Sequence, residues 1–120
     1  DGGTRTASIT GAVVALGLAL NKLKADGVVP RSGPPAIRQL LAAVSVGIVD
    51  GTPMLDLNYR EDSTAQADCN VVMTEAGWLV EVQATAERKP FSRDELDDLL
   101  SLANKGISEL LAMQKAILKR

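Results

Sequence analysis

The segment at residues 42–59, AAVSVGIVDGTPMLDLNY, decides how this chain folds. Its first half is rich in Val and Ile at alternate and adjacent positions, the composition of a strand. Asp50-Gly51 then interrupts it, a dipeptide that accepts the left-handed backbone of a tight hairpin turn. TPMLDLNY reads as the returning strand. Continuous alternation would put Met54, Asp56 and Asn58 on one face of it and Leu55, Leu57 and Tyr59 on the other.

Further along, REDSTAQAD (60–68) reads as a short helical excursion. CNVVMTEAGWLVEVQAT (69–85) reads as a second hairpin turning at Glu75-Ala76-Gly77, followed by a turn at ERKP (87–90). Ser92 and Glu95 have the spacing of a capping box, in which each side chain serves the other's backbone amide. Behind it Leu96, Leu99, Leu100, Leu102, Ile107, Leu110, Leu111 and Leu118 fall on one broad helical stripe. Asp94, Glu95, Asp97 and Asp98 crowd its start and Lys115, Lys119 and Arg120 its end, the order a helix dipole favours.

Upstream, Ile9, Val13, Leu16, Leu20 and Leu23 recur at helical spacing and predict a helix over Thr4–Ala25, stopped near Gly27. The prolines and glycine of VVPRSGPPAIRQ (28–39) make an irregular connection. Helix, two hairpins and helix define an α+β class, antiparallel strands flanked by two long helices.

Composition narrows the chemistry. The chain has 120 residues, one domain or a piece of one, of which 46% are hydrophobic and only 2% aromatic, so its core is aliphatic. A formal net charge of -2 leaves any polyanion contact to a local basic cluster. The absence of histidine excludes Ser-His-Asp and Cys-His catalysis and histidine-ligated zinc within the chain. A single cysteine, Cys69, excludes an internal disulfide, suits a reducing cytosol and reads as a small core residue. The apolar run at residues 9–20 is shorter than the about 20 residues that span a bilayer and lacks a basic flank, which points to a soluble cytoplasmic chain without membrane contact.

Two constellations carry chemistry. In DGGTRTASITGAVVALG (1–17), Gly2, Gly3, Thr4 and Arg5 stand at a helix start. Backbone amides, dipole and guanidinium there favour the same anion, and phosphate fits them. The plainer alternative is an ordinary helix start capped by Thr4 or Asp1. The second constellation is acidic: Asp56, Asp62 and Asp68 have spacings at which carboxylates share a divalent cation or keep one proton between them. Its plainer alternative is a solvated strand face with Asp62 as a helix cap. Trp78 reads as strand packing, Arg88-Lys89 as an exposed turn, and Ser8 and Ser45 have no base that would make them nucleophiles.

DGGTRTASITGA (1–12), AAVSVGIVDGTPMLDLNYREDSTAQADCNVVMT (42–74) and EVQATAERKPFSRDELDDLLSLANKGISELLAMQK (81–115) together resemble the C-terminal half of the ribonuclease PH family, phosphate-dependent 3′-to-5′ exoribonucleases that trim tRNA precursors. The resemblance implies a single unit over residues 1–120: a phosphate-site helix and connection (1–40), then hairpins and a C-terminal helix (41–120). It implies that Gly3, Thr4 and Arg5 bind inorganic phosphate, the attacking co-substrate. Asp56 and Asp62 would be the catalytic acidic pair, holding a divalent metal such as Mg²⁺ and protonating the leaving 3′-oxygen, with Asp68 a further metal-side carboxylate. It also implies RNA as partner, a homo-oligomer that in the family is a six-membered ring, and an N-terminal half that completes the fold and site. Ala84 stands where the family usually has Gly, and Arg88-Lys89 where it has Gly-Glu. Two other readings stay open: a catalytically silent fragment that binds RNA or a partner chain, and a metal-dependent hydrolytic nuclease built on Asp56, Asp62 and Asp68.

Overall fold

The Asp50-Gly51 turn closes as its dipeptide demands. Both residues take positive φ, 50° and 76°, and the strands on either side pair directly across them at Val49 and Thr52. The computed structural model describes residues 2–120, in the order α1 (Thr4–Ala25), β1 (Leu41–Val49), β2 (Thr52–Leu55), α2 (Tyr59–Thr64), β3 (Ala67–Thr74), β4 (Leu79–Ala86) and α3 (Arg93–Leu118). The strands form one four-stranded antiparallel sheet in the order β2-β1-β3-β4. Residues 26–40 form turns and bends, as their prolines require. The α+β class and the antiparallel hairpins expected from the sequence are therefore present.

One face of the sheet is sealed by α3. Val44, Val46 and Ile48 of β1 and Cys69, Val71 and Met73 of β3 meet Leu99, Ala103, Ile107, Leu111 and Leu118 there in the main core. The Ser92–Glu95 capping box forms in both directions at 3.0 and 3.1 Å and fixes where α3 begins. Cys69 is buried, and burial followed by the charge of Asp68 pushes its thiol up to about 11, an inert core thiol at neutral pH.

Strand alternation fails where the sequence predicts that it continues. β2 stops at Leu55 because Asp56 turns left-handed at φ 62°, and the chain crosses to the other face of the sheet. Leu55 consequently packs against the α3 core, while Leu57 is buried with Val49, Met54 and Ala65 on the opposite face. Asp56 and Asn58 are thus not strand neighbours. Asn58 caps α2, forming a reciprocal box with Glu61, so the helix cap expected at Asp62 lies four residues earlier.

Helix α1 is rotated relative to its expected apolar stripe, of which Val13 packs against the main core. Its bounds are as predicted, yet its two buried residues are Thr6 and Gly17, and Leu16, Leu18 and Leu23 are exposed. Thr6, Thr10, Val13 and Gly17 turn inward, and the exposed Asn21 at the same spacing donates to the Leu118 carbonyl. The reason lies in β1. Because β2 pairs with β1 only from Val46 onward, the β1 backbone at Leu41, Ala43 and Ser45 lacks a strand partner on that side. Side chains and a turn supply what the strand does not. The Thr10 hydroxyl accepts from the Ala43 amide at 3.0 Å and donates to its carbonyl at 3.3 Å. Gln114 of α3, 1% exposed, donates to the carbonyls of Leu41 and Thr10, both at 3.0 Å. The Asp56 amide donates to the Ser45 carbonyl at 2.8 Å. Buried backbone polar groups left unpaired would be costly, so this polar stripe outcompetes leucine for the inner position.

At 22 residues, α1 is also long and apolar enough to cross a bilayer by length and composition, more than the shorter run at 9–20 suggested. Its polar bonds to β1 and α3 place it against the sheet. Trp78 departs from expectation too: it lies in the second hairpin turn, 73% exposed, and does not pack in the sheet.

Glu75 ties the far end of that hairpin to α3. Its carboxyl accepts from the Leu40 amide at 3.0 Å and pairs with Lys115 at 3.2 Å. The amide hydrogen bond first, then the cations, hold this carboxyl below its ordinary value. Its contribution is therefore present above the unfolded-state pKa and is lost as pH falls through the folded value.

Thr10→Val keeps the shape of the side chain and removes both hydroxyl bonds to Ala43. It is expected to lower the unfolding free energy by about 1–3 kcal/mol, the penalty for unpaired buried polar groups. Thr10→Ser is expected to recover most of that loss, with urea unfolding as the measurement.

Candidate active site

The two glycines at the chain's start fix how α1 enters. A side chain on Gly2 would lie 2.3 Å from the Leu57 carbonyl oxygen, so only glycine lets this turn approach the segment after Asp56. Gly3 is the N-cap at φ 72°, a left-handed conformation that glycine adopts without strain. Among the described residues no side chain caps the helix and no acidic residue occupies its first turn. Thr4 is therefore the first helical residue and not the cap, while the alternative cap, Asp1, lies outside the described residues. Ala7 donates to the Gly3 carbonyl at 2.9 Å, and the Thr6 hydroxyl bonds the same oxygen at 2.9 Å, which stiffens the turn.

Cross-strand register places the partners of this turn. Ser45 pairs with Asn70 and Asn70 with Gln83; one step along, Gly47 pairs with Asp68 and Asp68 with Thr85. These rows lie on the face of the sheet turned away from α3, because the neighbouring Val46, Cys69 and Ala84 point into the α3 core. The start of α1 comes over them. Gly2, Gly3, Thr4, Arg5, Thr6, Ser45, Asp62, Asp68 and Asn70 line one cavity of about 230 Å³. The candidate anion turn and two of the three candidate acids are thereby brought together.

Asp56 stands apart from that cavity. It lines a larger, mainly apolar space of about 470 Å³ between α1 and α3, with Leu55, Glu109 and Met113; this space shares Gly2, Gly3, Thr6 and Ser45 with the acidic cavity. The expected trio Asp56, Asp62 and Asp68 does not assemble: among the described residues no group of three Asp, Glu, Cys or His side chains is arranged to hold a metal ion. The two-carboxylate set Asp62 and Asp68 is what the fold gathers. Oδ1 of Asp68 is buried with no hydrogen-bond partner among the described residues, which suits an oxygen awaiting a cation or a proton. Burial first, then the charges of Asp62 and Glu87, raise the Asp68 carboxyl above its ordinary value.

Sequence reasoning missed three residues of this region. Ser45 and Asn70 line the cavity floor and are united only by strand register. Glu81 of β4 holds Arg5, its two carboxylate oxygens lying 2.6 and 2.9 Å from Nη2. An acidic residue 76 positions from its arginine leaves no local mark in a sequence.

These features define a class: an antiparallel sheet backed by one long helix, with a glycine-led helix start and a pair of carboxylates meeting on its open face. Comparison with known proteins makes the class specific. Residues 39–106 match the model of the 3′ exoribonuclease family, domain 2, and the chain belongs to that family. Ribonuclease PH of Syntrophomonas wolfei is 58% identical over 118 residues, covering 98% of this chain and 48% of that protein. Ribonuclease PH of Neisseria meningitidis is 56% identical over 115 residues, covering 96% and 46%. The chain thus spans about half the length of the curated relatives it matches. Among solved structures, rice (Oryza sativa) Rrp46 superposes with a TM-score of 0.60 at 15% identity, over 68% of this chain and 38% of that one. The archaeal exosome core superposes at 0.51 and 16% identity, over 67% and 31%. At such identities the likeness is one of fold.

The raised carboxyl of Asp68 has a consequence for stability. Folding strengthens its hold on a proton, so ionisation costs folding free energy as pH climbs from the ordinary value of 3.8 through the raised one, and the full cost applies above it. Asp68→Asn is expected to stabilise the chain at pH 7 by a few tenths to about 1 kcal/mol, given solvent screening. The gain should vanish as pH falls to the ordinary carboxylate range, in thermal unfolding followed from pH 3 to 8.

Proposed function

We propose that this chain carries the C-terminal part of a phosphorolytic 3′-to-5′ exoribonuclease site. The observation that carries the reading is the cavity in which the glycine-led start of α1 and Arg5 face Asp62 and Asp68. Phosphoryl transfer asks for positioning and charge stabilisation more than for a protein nucleophile, which agrees with a site lacking histidine and a reactive thiol.

In this reading inorganic phosphate is the co-substrate, seated on the Gly3-Thr4-Arg5 turn by amides, dipole and guanidinium. One of its oxygens bonds to the phosphorus of the last phosphodiester, and the bond from that phosphorus to the 3′-oxygen of the preceding nucleotide breaks. The terminal residue leaves as a nucleoside diphosphate. The proton that the departing 3′-oxygen takes up is the one the attacking hydrogen phosphate gives up, and Asp62 is placed to pass it on. Asp62 and Asp68 offer oxygen ligands to Mg²⁺, which typically takes one or two carboxylates together with substrate phosphates. Such a cation supplies charge neutralisation for the anionic transition state. Asp56, on the adjoining cavity, supports the turn through its backbone bond to Ser45.

The identities to ribonuclease PH proteins support this chemistry, and the exosome-like fold supports RNA as the polymer. The finer reading is a chain acting on tRNA precursor 3′ ends within a cytoplasmic ring of like subunits. A second reading draws on the exposed apolar surface of α1 and of β4, where Leu79 and Val80 are exposed: a chain that binds RNA or another chain without turnover.

A short RNA with unpaired 3′ nucleotides, incubated with Mg²⁺ with and without phosphate, separates the readings. Nucleoside diphosphates formed only with phosphate support phosphorolysis. Monophosphates formed regardless of phosphate would sink it in favour of hydrolysis, and absence of product would favour the silent reading. Within phosphorolysis, Arg5→Ala is expected to weaken phosphate use by about 1.5–3 kcal/mol, the scale of a lost charged hydrogen bond.

A further inference from the structure

Resting on that phosphate site, we infer that Glu81 is a positioning residue that orients Arg5 for the anion. Arg5 needs such a partner. It sits in the first turn of α1, where the helix dipole repels a cation, on a long side chain that is about half exposed. Left alone it would sample solvent. Glu81 binds it with both oxygens on a single nitrogen, Nη2, at 2.9 and 2.6 Å.

The placement of Glu81 distinguishes an orienting partner from a competitor. Arg5 lines the acidic cavity, whereas Glu81 lies outside it, on the edge strand β4 opposite Val72. The carboxylate therefore grips the guanidinium from the outer side. Nε and Nη1 have no hydrogen-bond partner among the described residues and remain able to donate to an anion. The sheet makes the grip directional, because β4 is paired along β3 and β3 carries Asp68 and Asn70 of the same cavity. A rigid strand thereby sets the angle at which a helix-borne guanidinium meets phosphate. Preorganisation of this kind acts by reducing the freedom lost when the ligand binds.

Titration of inorganic phosphate into the full chain at pH 7 and fixed ionic strength, with Arg5→Ala, Glu81→Ala, Glu81→Gln and the Arg5→Ala/Glu81→Ala double variant, tests this. Glu81→Ala is expected to weaken phosphate binding roughly three- to fivefold, the scale of an exposed ion pair. Glu81→Gln, which keeps an acceptor for Nη2, should recover part of that loss. The double variant should bind no worse than Arg5→Ala alone, since Glu81 acts only through Arg5. Matching thermal unfolding of the Glu81 variants excludes a fold defect at this exposed position. If Glu81→Ala binds phosphate as well as or better than wild type while Arg5→Ala binds weakly, the positioning role is wrong and the phosphate site stands. If wild type binds no phosphate, or Arg5→Ala changes nothing, the phosphate site itself fails and the role of Glu81 falls with it.

Discussion

The unpaired half-edge of β1 is the constraint on which this structure depends. β2 is too short to cover Leu41, Ala43 and Ser45, and an uncovered strand edge in a protein interior leaves donors and acceptors unsatisfied. The chain answers with a threonine hydroxyl, a glutamine amide and a turn amide from three separate elements. Thr10 binds α1 to the sheet, Gln114 binds α3 to both, and Asp56 binds the crossover. That bonding does much to fix the angle of α1, because Leu16, Leu18 and Leu23 face away from the core.

The candidate site follows from the same constraint. Thr10 lies less than two turns from Gly3, so anchoring it at Ala43 carries the start of α1 over Ser45, the next residue on that edge. The register of β1 with β3 then sets Asn70 and Asp68 beneath it. The left-handed turn at Asp56 takes the chain across the sheet, and Leu57 packs on the open face so that α2 can present Asp62 beside Asp68. Gly2 is indispensable here because its contact with the Leu57 carbonyl joins the helix start to the crossover.

What the sequence revealed and what it hid divide along that line. Local codes were legible: the Asp50-Gly51 turn, the Ser92–Glu95 box and the bounds of α1 each rest on residues within a few positions of one another. The Gly3-Thr4-Arg5 turn with Asp62 and Asp68 was legible as chemistry, and the fold brings these together. The rotation of α1 was not, because it is imposed by a strand edge some 33 residues away. Nor was the placing of Asp56 on the adjoining cavity, since Leu55 and Leu57 keep perfect alternation in the sequence while one left-handed residue sends them to opposite faces. Ser45, Asn70 and Glu81 became visible only once three strands were in register.

The electrostatics of the cavity bear on the order in which ligands enter it. Asp62 and Asp68 line the space and Glu81 stands just outside, against a single guanidinium and the positive end of one helix. The charge of Asp62 is already felt at Asp68, whose carboxyl it helps to raise. A phosphate dianion entering alone would meet those carboxylates at close range, where like charges at an effective dielectric of about 20 repel by a few kcal/mol. A proton on Asp68 or a divalent cation shared by Asp62 and Asp68 removes that repulsion. In the phosphorolytic reading, phosphate and cation therefore bind with mutual support, each raising the affinity of the other by the same factor. In that reading the cation offsets the charge that the phosphate brings, so the pair enters without adding to the negative charge of Asp62 and Asp68.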